Sequence, residues 1–171
     1  MTTAQPQSTP AFQADDEPGR YRATRTVSES DIIEAARDIL VRRYQRGTSF
    51  ESPQAVRDYL MTHLATREYE AFAVLFLDNR HRLIEYKEMF RGTLNGTAVY
   101  PREVVRQALL LNAAACIVSH NHPSGVPEPS SADEILTSRL KDALSLVDIR
   151  LLDHFVIGGA ESVSFADRGL L

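Results

Sequence analysis

The chain has 171 residues, 43 % of them hydrophobic and 25 % charged, which is the balance of a soluble globular domain with appendages. Its net charge of −4 argues against broad electrostatic attraction to nucleic acid, and no apolar run approaches the ~18 residues of a membrane span. One cysteine, Cys116, excludes an intrachain disulfide and a cysteine-rich zinc cluster; no basic-then-apolar leader pattern opens the chain, so a cytoplasmic address is expected.

Residues 1–25, rich in Thr, Gln, Pro and charge, read as a disordered tail. A helix is predicted from about Ser28, within an N-terminal segment 26–48. Ile32, Ile33, Ala36, Ile39 and Leu40 form its apolar stripe, Arg37, Arg42, Arg43 and Arg46 a basic later part, and Gly47 its end. Ser52-Pro53 is an N-cap and first-turn pair for a second helix to about His63, with Val56, Leu60 and Leu64 inward. Residues 71–77 are near-continuously apolar, as in a strand buried on both faces, and 82–90 return as a second strand. Pro101 opens a helix carrying Val104, Val105, Ala108 and Leu109. The apolar run 113–119 is a further strand, about 131–147 a helix, 149–157 a strand and 162–165 a short last one.

The chemistry concentrates where the 113–119 strand ends, at His120-Asn121-His122-Pro123-Ser124-Gly125. Side chains two apart on a strand share a face, so both imidazoles can aim at one point. Pro123 and Gly125 turn the chain, and the next helix brings Asp133 back in its first turn. Two imidazoles and a carboxylate suit one Zn²⁺ ion with a fourth position left for water. Ser-x-x-acid before a helix is also a capping box. It occurs here in two registers, Ser130…Asp133 and Ser131…Glu134, and the expectation is that Ser131 and Glu134 cap while Ser130 and Asp133 are free for the metal site.

His-x-His-Pro-x-Gly followed by Ser130 and Asp133 resembles the JAMM motif of MPN/JAB-domain zinc hydrolases. The His-Asn-His-Pro-Ser-Gly form resembles the bacterial RadC branch, as do residues 74–78, 90–94, 100–105, Leu152-Asp153-His154 and Ser164-Phe165-Ala166. The resemblance runs from about residue 50 to the C-terminus. It implies an α/β (αβα) fold of the JAB/MPN, cytidine-deaminase-like kind over residues 49–171: a mixed β-sheet flanked by helices, with an N-terminal helical segment. Full-length RadC relatives carry a helix-hairpin-helix module, whose tight turn needs glycine. No glycine lies between Arg20 and Arg46, so the chain resembles a short form without it.

The resemblance further implies a zinc-dependent hydrolase of a peptide or isopeptide bond, with His120, His122 and Asp133 as ligands. The family's general base is a glutamate on an early core strand, and Glu70 is its match by position, with Glu68 and Glu88 as competitors. Ser130 matches the serine that donates a hydrogen bond to the oxyanion. Asn121 stands where many eukaryotic members have serine; its side chain should point away from the metal, with altered substrate contacts as the expected consequence. His154 is expected beside the site as a structural or supporting residue; His63 and His81 are expected at the surface. The implied partner is a protein or peptide substrate. MPN domains often pair, which makes a homodimer an expectation. Nucleic acid enters by family association alone, as does the alternative of a non-catalytic zinc-containing accessory factor in DNA repair or recombination.

Overall fold

The computed structural model describes residues 11–15, 17, 20–43, 49–50, 52–92 and 98–171. Arg46, Gly47, Thr93 and Leu94, used in the sequence reading, lie outside these residues. The chain divides into two compact units, residues 1–42 and 43–171.

In the first unit, β1 (Phe12–Ala14) pairs antiparallel with β2 (Tyr21–Ala23). The described residues of the span expected to be a disordered tail therefore include a short hairpin. Thr24 ties back to Ala11 through both its amide and its hydroxyl, and Arg22 forks onto Asp15, which supplies local order that composition does not reveal. Helix α1 (Glu29–Arg43) begins where Ser28 suggests. Ile32 and Ile33, read as part of an inward stripe, are 52 % and 39 % exposed.

The second unit is built on a five-stranded sheet ordered β4-β3-β5-β6-β7: β3 (Ala71–Leu77), β4 (Leu83–Arg91), β5 (Ala115–Asn121), β6 (Arg150–Gly158) and β7 (Glu161–Ser164). Only β5 and β6 run parallel; the other neighbours are antiparallel. Every residue of β3 and β5 is buried, because both faces of the sheet are covered. Alternation sorts their side chains into two cores. Ala71, Ala73, Leu75, Ala115 and Ile117 face α2 (Pro53–Leu64), packing on Val56, Leu60 and Leu64. Phe72, Val74, Phe76, Cys116 and Val118 face the other way, onto Val104 and Ala108 of α3 (Pro101–Leu110) and Leu140 and Leu144 of α4 (Ser131–Ser145). This is the mixed sheet flanked by helices that the motifs imply.

The connection β5–α4–β6 is a parallel crossover, which places the end of β5 and the start of α4 together at the carboxyl end of the central strands, where sheets of this kind carry their sites. Burial pushes the Cys116 thiol up to about 12, consistent with an inert core residue.

Candidate metal centre

His120 and Asn121 are the last residues of β5, and His122 follows as the chain turns. The His122 amide donates to the Ile157 carbonyl at 2.8 Å, extending the hold of β6 beyond the strand. Gly125 takes φ 81°, a left-handed turn conformation that favours glycine. The chain then passes so close to the end of β6 that a Cβ on Gly158 would lie 2.5 Å from the Pro127 nitrogen. Only glycine admits that approach, and it seats the Val126 carbonyl 2.8 Å from His122 Nδ1.

That carbonyl can only accept, so His122 Nδ1 carries a hydrogen, and in the neutral ring Nε2 offers the lone pair. This Nε2 lies 2.9 Å from His120 Nε2; Asp133 Oδ1 is 3.3 Å from His120 Nε2 and Oδ2 is 3.8 Å from His122 Nε2. Around a tetrahedral zinc with bonds of about 2.0–2.1 Å, ligand atoms stand ~3.3 Å apart. The His–His and the His120–Oδ1 separations lie near that edge, while the 3.8 Å contact to His122 is made by the other carboxylate oxygen. Two imidazoles with one carboxylate converging in this way are a zinc donor set. Among the described residues, His120, His122 and Asp133 are the one group whose ligand atoms converge in this way. Burial holds the His120 pKa down to about 4, with Asp133 opposing and His122 adding to the shift, so a metal meets little competition from protons near neutral pH.

The cap of α4 differs from the expectation. Ser130, not Ser131, is the N-cap: its hydroxyl accepts from the Asp133 amide at 3.3 Å and donates to Asp133 Oδ2 at 2.6 Å, while the Ser130 amide donates to Oδ2 at 2.7 Å. Ser130 and Asp133 are thus not freed by the second register. Asp133 serves both purposes because it has two oxygens: Oδ2 closes the capping box and Oδ1 points to His120. Ser130 holds the carboxylate in place.

The β3–β5 register pairs Phe72 with His120, and their rings stack 6.4 Å apart on the α4 face. Glu70 lies two residues before Phe72, half-buried at the entrance to β3, and its carbonyl accepts from the Gly92 amide at 2.8 Å. Glu88 sits opposite Ala73, whose side faces α2, and its carboxylate is held by Arg67 at 2.5 Å. Glu68 is exposed in the turn before the strand. Asn121 points away from the metal side, as expected; it is 2 % exposed and its amide is consumed by the backbone. Its oxygen accepts from the Ala71 amide at 2.8 Å and its nitrogen donates to the Tyr69 and Arg67 carbonyls at 3.0 and 3.3 Å. Asn121 therefore staples the chain on either side of Glu70 to the metal-bearing strand.

His154 is fully buried beside the centre, its Nε2 2.9 Å from His120 Nδ1 and its ring stacked on Phe165. Burial drives its pKa well below the ordinary histidine value. The neighbouring Asp153 carboxylate accepts from the His154 and Ala166 amides and the Ser164 hydroxyl, which ties the Leu152-Asp153-His154 and Ser164-Phe165-Ala166 stretches into one unit. His63, expected at the surface, is half-buried between Tyr59 and Tyr86. His81 sits in the β3–β4 turn with φ 57°. Sequence reasoning missed Thr137. It is buried, donates to the Asp133 carbonyl at 2.6 Å and lies 2.6 Å from His154 Nδ1. Its signal was a polar residue in register with Asp133, Leu140 and Leu144 on one helix face.

Known proteins resemble this chain in sequence over most of its length. Residues 50–170 match the RadC-like JAB domain. A UPF0758 protein of Methylibium petroleiphilum is 61 % identical over 82 % of this chain and 63 % of its own length. One from Vibrio cholerae is 58 % identical over 89 % and 96 %, and one from Leptothrix cholodnii 60 % over 82 % and 63 %. The chain thus spans about 63 % of two of these relatives and nearly all of the third. By the matched domain, these identities and the His-His-Asp triad at its centre, the chain belongs to the RadC-like JAB family, and its triad is consistent with a zinc-dependent metallohydrolase.

Proposed function

We propose that this chain is a single-zinc hydrolase that cleaves a peptide or isopeptide bond in a protein or peptide substrate in the cytoplasm. The observation that carries the reading is the convergence of two histidine Nε2 atoms and Asp133 Oδ1 at separations of 2.9 and 3.3 Å. Zinc bound there would supply a water with its pKa lowered towards ~7 and would polarise a carbonyl. The remaining work falls to the chain. Glu70, whose neighbours Tyr69 and Ala71 are both stapled to β5 through Asn121, accepts the water's proton and returns it to the leaving nitrogen. Ser130 donates to the developing oxyanion by swinging its hydroxyl proton away from Asp133 Oδ2. Phe72 and Phe90, with rings 6.2 Å apart, give an apolar lining near the site.

The test is a screen of peptide and isopeptide substrates with wild type and Glu70→Gln at matched zinc content. Activity should fall by roughly 10²–10⁴-fold in the variant while zinc is retained. Equal activity in the two proteins would remove Glu70 from the role. The accessory-factor alternative rests on family association; tight, salt-sensitive DNA binding without hydrolysis would favour it.

A further inference from the structure

Zinc needs the Nε2 lone pair of His120, and therefore a hydrogen on Nδ1. For His122 a backbone carbonyl settles the matter. For His120 the partner is another imidazole, His154, which can donate or accept; the 2.9 Å contact alone does not say which nitrogen carries the hydrogen. The direction is fixed one step further out. Thr137 Oγ1 lies 2.6 Å from the Asp133 carbonyl oxygen, which can only accept, so the one hydroxyl hydrogen is spent there. The 2.6 Å contact from Thr137 Oγ1 to His154 Nδ1 then requires the hydrogen to come from the ring. A neutral His154 that donates from Nδ1 has a bare Nε2, and that Nε2 accepts from His120 Nδ1. His154 is 0 % exposed and both ring nitrogens are used within this chain of contacts.

We infer that Thr137 and His154 are positioning residues that lock His120 in its zinc-ready tautomer, through a one-way hydrogen-bond relay from His120 to His154 to Thr137 to the Asp133 carbonyl. Asp133 would then take part twice, as ligand through its carboxylate and as terminus of the relay through its backbone, so that one turn of α4 sets two of the three ligands. The Phe165 ring stacked 4.7 Å from His154 holds the middle member in orientation. The inference rests on the zinc reading for its purpose and not for its geometry.

The test is long-range ¹H–¹⁵N correlation spectroscopy of the histidine rings in the full chain, zinc-free and zinc-loaded. It is combined with zinc affinity measured against a chromophoric chelator. Wild type should show His154 as the Nδ1–H tautomer in both states. Thr137→Val, which keeps the shape and removes the hydroxyl, should lose that single-tautomer pattern and bind zinc about 10–100-fold more weakly. Thr137→Ser should restore both. The Nε2–H tautomer at His154 in wild type overturns the relay without any variant having to fold, as does Thr137→Val with unchanged ring signals and zinc affinity. Should the chain take up no zinc, the proposed function fails, and the zinc-free ring spectrum still decides the relay.

Discussion

The molecule builds the same capping box twice. At the start of α1, Ser28 and Asp31 close it: the Ser28 amide and hydroxyl each reach Asp31 Oδ2 at 2.8 Å, and the Asp31 amide returns to the hydroxyl at 3.2 Å. At the start of α4, Ser130 and Asp133 repeat that pattern at 2.7, 2.6 and 3.3 Å. What separates them is the other carboxylate oxygen. Asp31 Oδ1 is taken by Arg25 at 2.7 Å, whereas Asp133 Oδ1 lies 3.3 Å from Nε2 of the buried His120. The box is a device for aiming a carboxylate. Its chemistry is decided by what the free oxygen meets, so a capping role and a ligand role are compatible in one residue.

The largest effect should come from removing that free oxygen. Asp133→Ala is expected to weaken zinc binding by more than about 100-fold, since a ligand is lost outright and not merely its support; Asp31→Ala should leave zinc affinity unchanged. Calorimetric or chelator titration of the two variants side by side would break the comparison if they behaved alike. Ser130→Ala comes next. Loss of either cap serine should destabilise its helix by about 1 kcal/mol. Ser130→Ala should in addition lower turnover about 10²-fold through the oxyanion, while Ser28→Ala leaves turnover intact.

Gly158→Ala sharpens the comparison from a distance. Its Cβ would push the Val126–Pro127 backbone away and loosen the carbonyl that fixes His122; zinc affinity should fall about 10-fold with α1 untouched. The smallest effect is a pH effect confined to the first box. Arg25 and then the Ser28 bonds hold the Asp31 pKa far below its ordinary 3.8. A depressed carboxylate stabilises its cap fully above about pH 3.8 and loses that contribution as pH falls towards the folded value. The protection factors of the first-turn amides of α1, which are exchange rates divided by the intrinsic rate at the same pH, should therefore be flat from neutrality down to about pH 4 and fall only below it.

Much of this was legible in the residues. The apolar run 71–77 announced a strand covered on both faces, and Pro53 and Pro101 marked their helices within a residue. His-x-His at a strand end gave the ligand pair because alternation is a local rule. Local rules fail where a choice depends on partners distant in sequence. The Ser131 register was a sound cap on paper, yet the cap is Ser130, whose acid also faces His120 at the end of β5. Glu88 was a fair competitor until pairing with Ala73 put it on the α2 side beside Arg67. Asn121 was read for its substrate contacts and Thr137 was passed over, because their partners, the backbone before β3 and a histidine 17 residues on, come together only in the fold.

The central claim is that three side-chain atoms free of protons meet at one ion. Metal analysis of the purified chain beside His122→Ala tests it most directly. Wild type should hold about one zinc per chain, and the variant should lose it with its fold intact by circular dichroism. Wild type without zinc after growth and refolding in its presence, or a variant that retains zinc in full, would contradict the account.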